Sequence, residues 1–171
     1  TFLVDGETER VTLSYQQLEQ QAQAIAFHLQ SIYSPGETAL LLYPPGLDYI
    51  CAFFGCLYAG VVAVPAYPPR PNRSLVRVQG IVKDSLARVA LTTQAILSNL
   101  ERRFTQAPEL KTLQWVATEN INGNLAQSWQ QPAIDGSTLA FLQYTSGSTA
   151  QPKGVMISHS NLVHNSAAIY K

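Results

Sequence analysis

Charged side chains are scarce in this 171-residue sequence. Only 13% of the residues are charged and 46% are hydrophobic, whereas an average globular domain is about 25% charged. Lys and Arg together number 11, as do Asp and Glu, so the net charge is zero. This balance excludes a long-range positive field of the kind that gathers nucleic acid or an anionic membrane surface. We therefore expect about one globular domain, in which any bound anion is held by local contacts.

Cysteine is almost as scarce. The two cysteines, Cys51 and Cys56, lie five positions apart, which is roughly 140° around a helix. This spacing suits neither a disulfide nor a metal clip, so we predict two small buried thiols and a cytoplasmic protein. The first ten residues contain no basic segment followed by an apolar one, and no export signal is expected.

One long stretch has no charge at all, from Tyr49 to Tyr67. Its length passes the ~18-residue test for a membrane-spanning helix. Gly60 and Pro65 interrupt it, however, and the β-branched residues between them favour a strand. We predict a buried helix followed by a buried strand, and no membrane span.

The rest of the chain alternates between strand-like and helical patterns. Apolar runs of strand length occur at 38–43, 61–64, 89–92, 113–117 and 139–142, and helical spacing occurs at 15–32, 47–58, 75–86 and 94–105. Ser14 and Gln17 form a capping box at the start of the first helix, on which His28 is interpreted as a surface residue. The alternation predicts an α/β fold with a largely parallel sheet, helices on both faces and a right-handed crossover between the strands at 38–43 and 61–64.

Two stretches leave the regular pattern. Residues 118–137 are polar and aperiodic around an isolated Trp129, which predicts a surface excursion. The segment 66–71 contains three prolines, which fits either a rigid pocket wall or a stiff connector. Arg73 and Arg77 follow one turn apart and are interpreted as a solvated face in preference to an anion site.

The segment from Tyr144 to Gly154 has the composition of a phosphate-binding loop. It reads Tyr-Thr-Ser-Gly-Ser-Thr-Ala-Gln-Pro-Lys-Gly and contains no acid. Glycines let the backbone approach a phosphate and adopt positive φ at little steric cost, while hydroxyls and a lysine add donors and charge. The predicted phosphate-binding residues are Thr145, Ser146, Gly147, Ser148, Thr149, Lys153 and Gly154.

Other nucleotide-binding loops fit this segment less well. Counted from Gly147, a Walker A loop requires glycine where Pro152 stands and a hydroxyl where Gly154 stands. A Walker loop also opens a helix, whereas an apolar strand-like run follows here at 155–157. No G-x-G-x-x-G follows the first strand. A ligand-free surface turn remains an alternative, although two flanking strands, which we expect in the core, argue against a floppy loop.

The same segment resembles the phosphate-loop signature of adenylate-forming enzymes, a superfamily of acyl-CoA synthetases, peptide-synthetase adenylation domains and luciferases. Ala150 stands where that signature most often has glycine, from which we expect modestly altered phosphate handling. Further stretches are similar to fatty acyl-AMP ligases, and the resemblance extends from Leu13 onward. These stretches are 55–60, 64–71, 73–77, 142–144, 154–159 and 161–162.

The resemblance implies an enzyme that uses ATP and Mg²⁺ to convert a fatty acid into acyl-AMP and pyrophosphate. The acyl group would then pass to an acyl carrier protein, and the loop would hold the β- and γ-phosphates. No catalytic or metal-binding residue is assigned in this chain, because the fatty acid carboxylate is itself the nucleophile.

The superfamily's adenine, ribose and Mg²⁺ contacts and its C-terminal lid domain follow the phosphate loop. We therefore expect residues 1–171 to be an incomplete N-terminal part of an adenylation domain, inactive alone. An acyl-CoA synthetase fragment and a non-catalytic binding module of the same fold remain the alternatives.

Overall fold

The structure is a computed structural model that describes residues 1–3, 6–7, 10–69, 74–145 and 152–170. The strands are β1 (Phe2–Leu3), β2 (Arg10–Val11), β3 (Thr38–Leu42), β4 (Val62–Ala66), β5 (Val89–Thr92), β6 (Gln114–Ala117), β7 (Leu139–Thr145) and β8 (Lys153–Ser158). The α-helices are α1 (Tyr15–Gln30), α2 (Leu47–Ala59), α3 (Val76–Ser85), α4 (Gln94–Glu101), α5 (Pro108–Lys111) and α6 (His159–Ile169). Short 3₁₀ helices occupy Phe104–Gln106, Thr118–Asn120 and Gly123–Ser128.

Six of these strands form one sheet in the order β6-β5-β3-β4-β7-β8. Every neighbouring pair from β6 to β7 is parallel, and only β8 runs antiparallel, to β7. β1 and β2 form a separate antiparallel pair. The predicted α/β fold with a largely parallel sheet is confirmed.

Helices cover both faces of this sheet, as predicted. Side chains alternate along each strand, so Ala39 and Leu41 of β3 face α1 and α2, while Leu40 and Leu42 face α3. All four are completely buried. Both faces of the central strands are therefore shielded from water. This explains why the sequences of these strands are continuous apolar runs and do not alternate between apolar and polar residues.

The helix starts follow the capping signals of the sequence. The Ser14 side chain accepts a hydrogen bond from the Gln17 backbone N–H, and the Gln17 side chain accepts one from the Ser14 backbone N–H. Ser158 and Asn161 make the same reciprocal pair at α6. α2 ends at Gly60, whose φ of 72° is the left-handed conformation that glycine adopts at little cost.

The two cysteines are free and buried in α2, as predicted. Burial raises the pKa of both thiols, that of Cys51 to about 11.

The expectation that α2 is buried all round is wrong, because Phe54 is 38% exposed. The apolar face of α2 is wider than the area that α1 and the sheet can cover.

The interpretation of residues 118–137 as a surface excursion is also wrong in part. The two 3₁₀ helices at 118–128 begin this segment, and the second packs against α1. Trp129 is half-buried: its Nε1–H donates to the Tyr58 carbonyl at 2.9 Å, and the two rings lie 5.3 Å apart. The segment therefore packs against α1 and against the carboxyl-terminal end of α2.

None of the helices in the described ranges has the length and hydropathy that a membrane crossing requires.

His28 is not the solvated or hydrogen-bonded surface residue expected. Its Nε2 is buried without a hydrogen-bond partner among the described residues, and this burial lowers its pKa.

Candidate active site

The sheet order creates a crevice at the carboxyl ends of β3 and β4. The chain leaves β3 toward α2 on one face and leaves β4 toward α3 on the other, because β4 and β5 lie on opposite sides of β3. In open α/β sheets, ligands bind where successive connections diverge in this way. The topology therefore selects this edge of the sheet as the candidate site.

The β7–β8 hairpin brings the two described ends of the predicted phosphate loop to the same edge. β7 runs parallel to β4, with Phe141 opposite Ala63, so its carboxyl end lies beside the carboxyl ends of β3 and β4. β8 returns antiparallel, with Thr145 opposite Lys153. The two apolar runs flanking the loop are strands, as predicted.

The expectation that both flanking strands lie in the core is wrong for β8. Val155 is 48% exposed and Met156 is 71% exposed. β8 is an edge strand of the six-stranded sheet, so hydrogen bonds to β7 hold it in place more than burial does.

The end of the hairpin has two chemically different faces. Successive side chains in a strand point to opposite sides, and Thr145 pairs with Lys153 while Tyr144 pairs with Gly154. Thr145 and Lys153 are both exposed and share one face. They place a hydroxyl and an ammonium side by side in solvent, as a polyanion requires.

On the opposite face, Tyr144 is buried against α3. Its hydroxyl donates a 2.6 Å hydrogen bond to Oδ2 of Asp84. Desolvation by burial, followed by the adjacent Asp84 carboxylate, raises the pKa of Tyr144. The phenol therefore remains a proton donor to Asp84 at any physiological pH.

Gly154 does not have the positive φ that was predicted for the loop glycines. Among the described glycines, positive φ occurs at Gly6, Gly36 and Gly60, and Gly154 is extended backbone within β8. A Cβ at Gly154 would lie 3.0 Å from Cζ of Tyr144 and 3.3 Å from its Oη. The glycine allows the edge of the Tyr144 ring to approach β8 closely.

The structure covers only part of the predicted phosphate-binding set. Thr145, Lys153 and Gly154 lie together at the hairpin end. The remaining members, Ser146, Gly147, Ser148 and Thr149, lie outside the described residues, as does Ala150. Their participation stays a prediction.

A cavity of about 350 Å³ adjoins the hairpin at the same sheet edge. Its wall is mainly tyrosine and proline side chains, together with the polar side chains of Arg77 and Gln143, and it includes Tyr43, Tyr49, Tyr67, Tyr144 and Pro65. Cavities that hold small ligands have this size and this mixture of apolar wall and few polar groups.

This cavity bears on two earlier interpretations. Ala66 and Tyr67, the first two residues of the segment 66–71, line it together with Pro65, whereas Pro68 and Pro69 do not. Pro71 lies outside the described residues, so the choice between a pocket wall and a stiff connector stays open for the prolines. Arg77 is exposed and also lines it, while Arg73 lies outside the described residues. In the described part of the chain, no three His, Cys, Asp or Glu side chains come together as a metal site.

Sequence patterns did not identify Asp84 as a contact of the loop. Asp84 and Tyr144 are 60 positions apart, and Asp84 has the same local appearance as any exposed acid on a helix. Only the burial of Tyr144, a phenol that needs a hydrogen-bond partner, could have indicated that one exists.

Comparison with known proteins identifies relatives. The family model described as AMP-binding enzyme matches residues 1–171. The medium-chain-fatty-acid–[acyl-carrier-protein] ligase JamA of Moorena producens is 48% identical over 99% of this chain and 29% of that protein. The long-chain-fatty-acid–AMP ligase FadD32 of Mycolicibacterium smegmatis is 35% identical over 95% of this chain and 26% of that protein.

A solved structure shows the same relationship. The fatty acyl-adenylate ligase from L. pneumophila, crystallised with acyl adenylate and pyrophosphate, is 43% identical with a TM-score of 0.85, over 96% of this chain and 28% of that chain. The present chain thus spans less than a third of the length of these relatives. Because the family model matches the whole sequence, the chain belongs to the AMP-binding enzyme family.

Proposed function

We propose that this chain is the front portion of a ligase that activates a fatty acid with ATP. One observation supports this above all: Thr145 and Lys153 share an exposed face at the sheet crevice, beside an apolar cavity. The 48% identity to an acyl-carrier-protein ligase supports the substrate class.

In the proposed reaction a carboxylate oxygen of the fatty acid attacks the α-phosphorus of ATP. The bond from that phosphorus to the bridging oxygen of the β-phosphate breaks, giving acyl-AMP and pyrophosphate. Lys153 and the hydroxyls from Thr145 to Thr149 hold the β- and γ-phosphates and stabilise the charge of the leaving pyrophosphate. Hydrogen bonds to a charged partner contribute about 1.5–3 kcal/mol each, so a few of them hold a triphosphate without a basic surface.

We propose that the acyl chain occupies the cavity beside the hairpin. Its tyrosine and proline walls suit a hydrocarbon, and Gln143 and Arg77 supply polar side chains to the lining. Ala66 lies in this wall, so Ala66→Phe should narrow it. We expect activity with long fatty acids to fall more than activity with short ones, and an equal loss at every chain length would contradict this assignment.

The described residues do not fit a Mg²⁺ site, because they bring no group of carboxylates together. We propose that Mg²⁺ enters the complete ligase with the nucleotide phosphates.

We further propose that the protein is cytoplasmic, since both thiols are free, and that it binds neither nucleic acid nor a membrane.

We also propose that residues 1–171 are an incomplete N-terminal part of the adenylation domain and are inactive alone. The relatives are more than three times as long, and apolar residues of α6 stand uncovered, with Val163 69% and Ile169 77% exposed. Further chain of the complete ligase would cover them. A cooperatively melting 171-residue monomer with measurable pyrophosphate exchange would contradict this proposal.

The acceptor of the acyl group decides between two ligase classes. A putative fatty-acid–CoA ligase of Mycobacterium leprae is 34% identical over 91% of this chain, so a CoA ligase is the second candidate. We expect the acyl-adenylate made by the complete enzyme to persist with CoA and to be consumed by acyl carrier protein. Rapid release of acyl-CoA would refute the carrier-protein assignment.

A further inference from the structure

The helix α3 contacts the phosphate-binding hairpin at two points. Oδ2 of Asp84 accepts the 2.6 Å hydrogen bond from Tyr144. Gly80 lies against Pro152, where an added Cβ would be 3.3 Å from both Cγ and Cδ of the proline ring. Gly80 and Asp84 are four residues apart, so they lie on the same face of the helix.

These two contacts lie on either side of the loop. Tyr144 immediately precedes Thr145, and Pro152 immediately precedes Lys153. The face of α3 that carries Gly80 and Asp84 therefore touches the chain just before each of the two proposed phosphate-binding residues that the structure describes. Both residues point away from α3, so the helix contacts them only through their neighbours.

We propose that Gly80 and Asp84 are positioning residues that set the separation and orientation of Thr145 and Lys153 for a triphosphate. This inference rests on the proposed function of the hairpin. Asp84 is exposed, so water can replace its hydrogen bond when Tyr144 is altered, and its contribution to global stability is small. Its contribution to geometry is large, because a short hydrogen bond to a carboxylate fixes both the distance and the direction of the Tyr144 ring.

The side chain at position 84 has to accept a hydrogen bond, and its charge is secondary. Asp84→Asn retains an acceptor oxygen, whereas Asp84→Ala and Tyr144→Phe each remove the bond. In the complete ligase we expect the last two variants to raise the KM for ATP about three- to tenfold, as the loss of one such bond implies. Asp84→Asn should stay within about twofold of wild type. The KM for the fatty acid should also stay within about twofold in Asp84→Ala. Tyr144→Phe does not serve this comparison, because Tyr144 also lines the cavity proposed for the acyl chain.

A matched control exists at the opposite end of the sheet. The Tyr33 hydroxyl donates a 3.0 Å hydrogen bond to Oε1 of Gln114, far from the crevice. Tyr33→Phe removes the same chemical group and should leave the KM for ATP unchanged. A similar rise in Tyr33→Phe and Tyr144→Phe would overturn the positioning role.

Gly80→Ala separates positioning from stability. Alanine is the better helix former, so the thermal midpoint should stay level or rise. The new Cβ must displace Pro152 by a few tenths of an ångström, so we expect the KM for ATP to rise about threefold, a steric effect of the size of other small overpacking changes. Gly123→Ala is the control, because its Cβ would meet only the flexible Gln20 side chain at 3.9 Å.

Calorimetric binding of inorganic pyrophosphate distinguishes this inference from the proposed function. Weaker pyrophosphate binding in Asp84→Ala, Tyr144→Phe and Gly80→Ala supports the positioning role, even if wild type forms no acyl-adenylate, a result that would overturn the proposed function alone. Unchanged pyrophosphate binding and unchanged KM for ATP in all three variants would overturn the positioning role.

Discussion

Replacing Gly154 with alanine is the most direct test of the packing beneath the proposed phosphate site. The added Cβ would lie 3.0 Å from Cζ of Tyr144, with Cε2 and Oη at 3.3 Å. Carbon atoms in contact prefer about 3.5–4.0 Å. The ring must therefore retreat by about half an ångström, although its hydroxyl is already held at 2.6 Å by Asp84.

Two opposing effects set the size of the change. Overpacking of a filled site costs about 1–3 kcal/mol. Alanine in a strand loses less backbone freedom on folding than glycine does, and this raises the free energy of unfolding by about 0.5–1 kcal/mol. The Tyr144 ring is buried, so we expect the steric cost to lie in the upper part of its range, at about 2–3 kcal/mol. The net loss in the free energy of unfolding is then about 1–2.5 kcal/mol.

Urea denaturation of the complete ligase measures this loss, with Gly123→Ala as the control. A second variant tests the cause: Tyr144→Leu removes the ring edge that the new Cβ meets. Gly154→Ala should then cost less in the Tyr144→Leu background, with a coupling energy of at least about 0.5 kcal/mol. Equal costs in both backgrounds, or a Gly154→Ala variant as stable as the control, would refute the close approach of Tyr144 to β8.

Three further predictions follow from other contacts. Lys153→Gln should raise the KM for ATP about tenfold or more without changing the urea midpoint, because Lys153 is exposed; unchanged ATP kinetics would contradict its phosphate role. Burial lowers the pKa of His28 below its unfolded value of 6.5, so the unfolded state binds the proton more readily and stability falls as pH drops below that value. His28→Leu should therefore lose less stability than wild type between pH 7.5 and 5.5, and it should retain the dependence that comes from His159, whose pKa burial also lowers. Trp129→Phe should cost about 1–3 kcal/mol, since the Tyr58 carbonyl loses its donor; a urea midpoint equal to wild type would count against this anchor.

The elements of the fold were predictable from sequence because their signals are local. The Ser14 capping box, the apolar run of β3 and the glycine that ends α2 each lie within a few residues of the feature they specify. The strand order could not be predicted from local signals, because it depends on which strands pair although they are far apart in sequence. The exposed edge position of β8 was missed for that reason, since Val155–Ile157 looks like a core strand in isolation.

Sequence indicated the chemistry of the candidate site, and its phosphate-binding role stays a prediction. The hydroxyls, the lysine and the absence of acids in 144–154 indicated a phosphate loop without any structure. The support beneath it was not visible, because Gly80 and Asp84 belong to a helix far away in sequence. Gly154 illustrates what sequence alone does not show. The loop pattern indicates a glycine at this position, but only the structure shows that an added Cβ would meet the Tyr144 ring.

The order of the strands along the chain also has a consequence for the time course of folding. The four neighbouring strands β6, β5, β3 and β4 all come from residues 38–117, which form a continuous stretch, whereas the β7–β8 hairpin joins the sheet by pairing with β4. Chain closure over longer separations is slower. As the protein is synthesised, we expect the four-stranded layer to form before the hairpin docks on it. A newly made molecule would therefore pass through a stage in which the four-stranded layer is folded but Thr145 and Lys153 do not yet lie beside the crevice. A ligand of the proposed phosphate site would stabilise only the molecules in which the hairpin has docked.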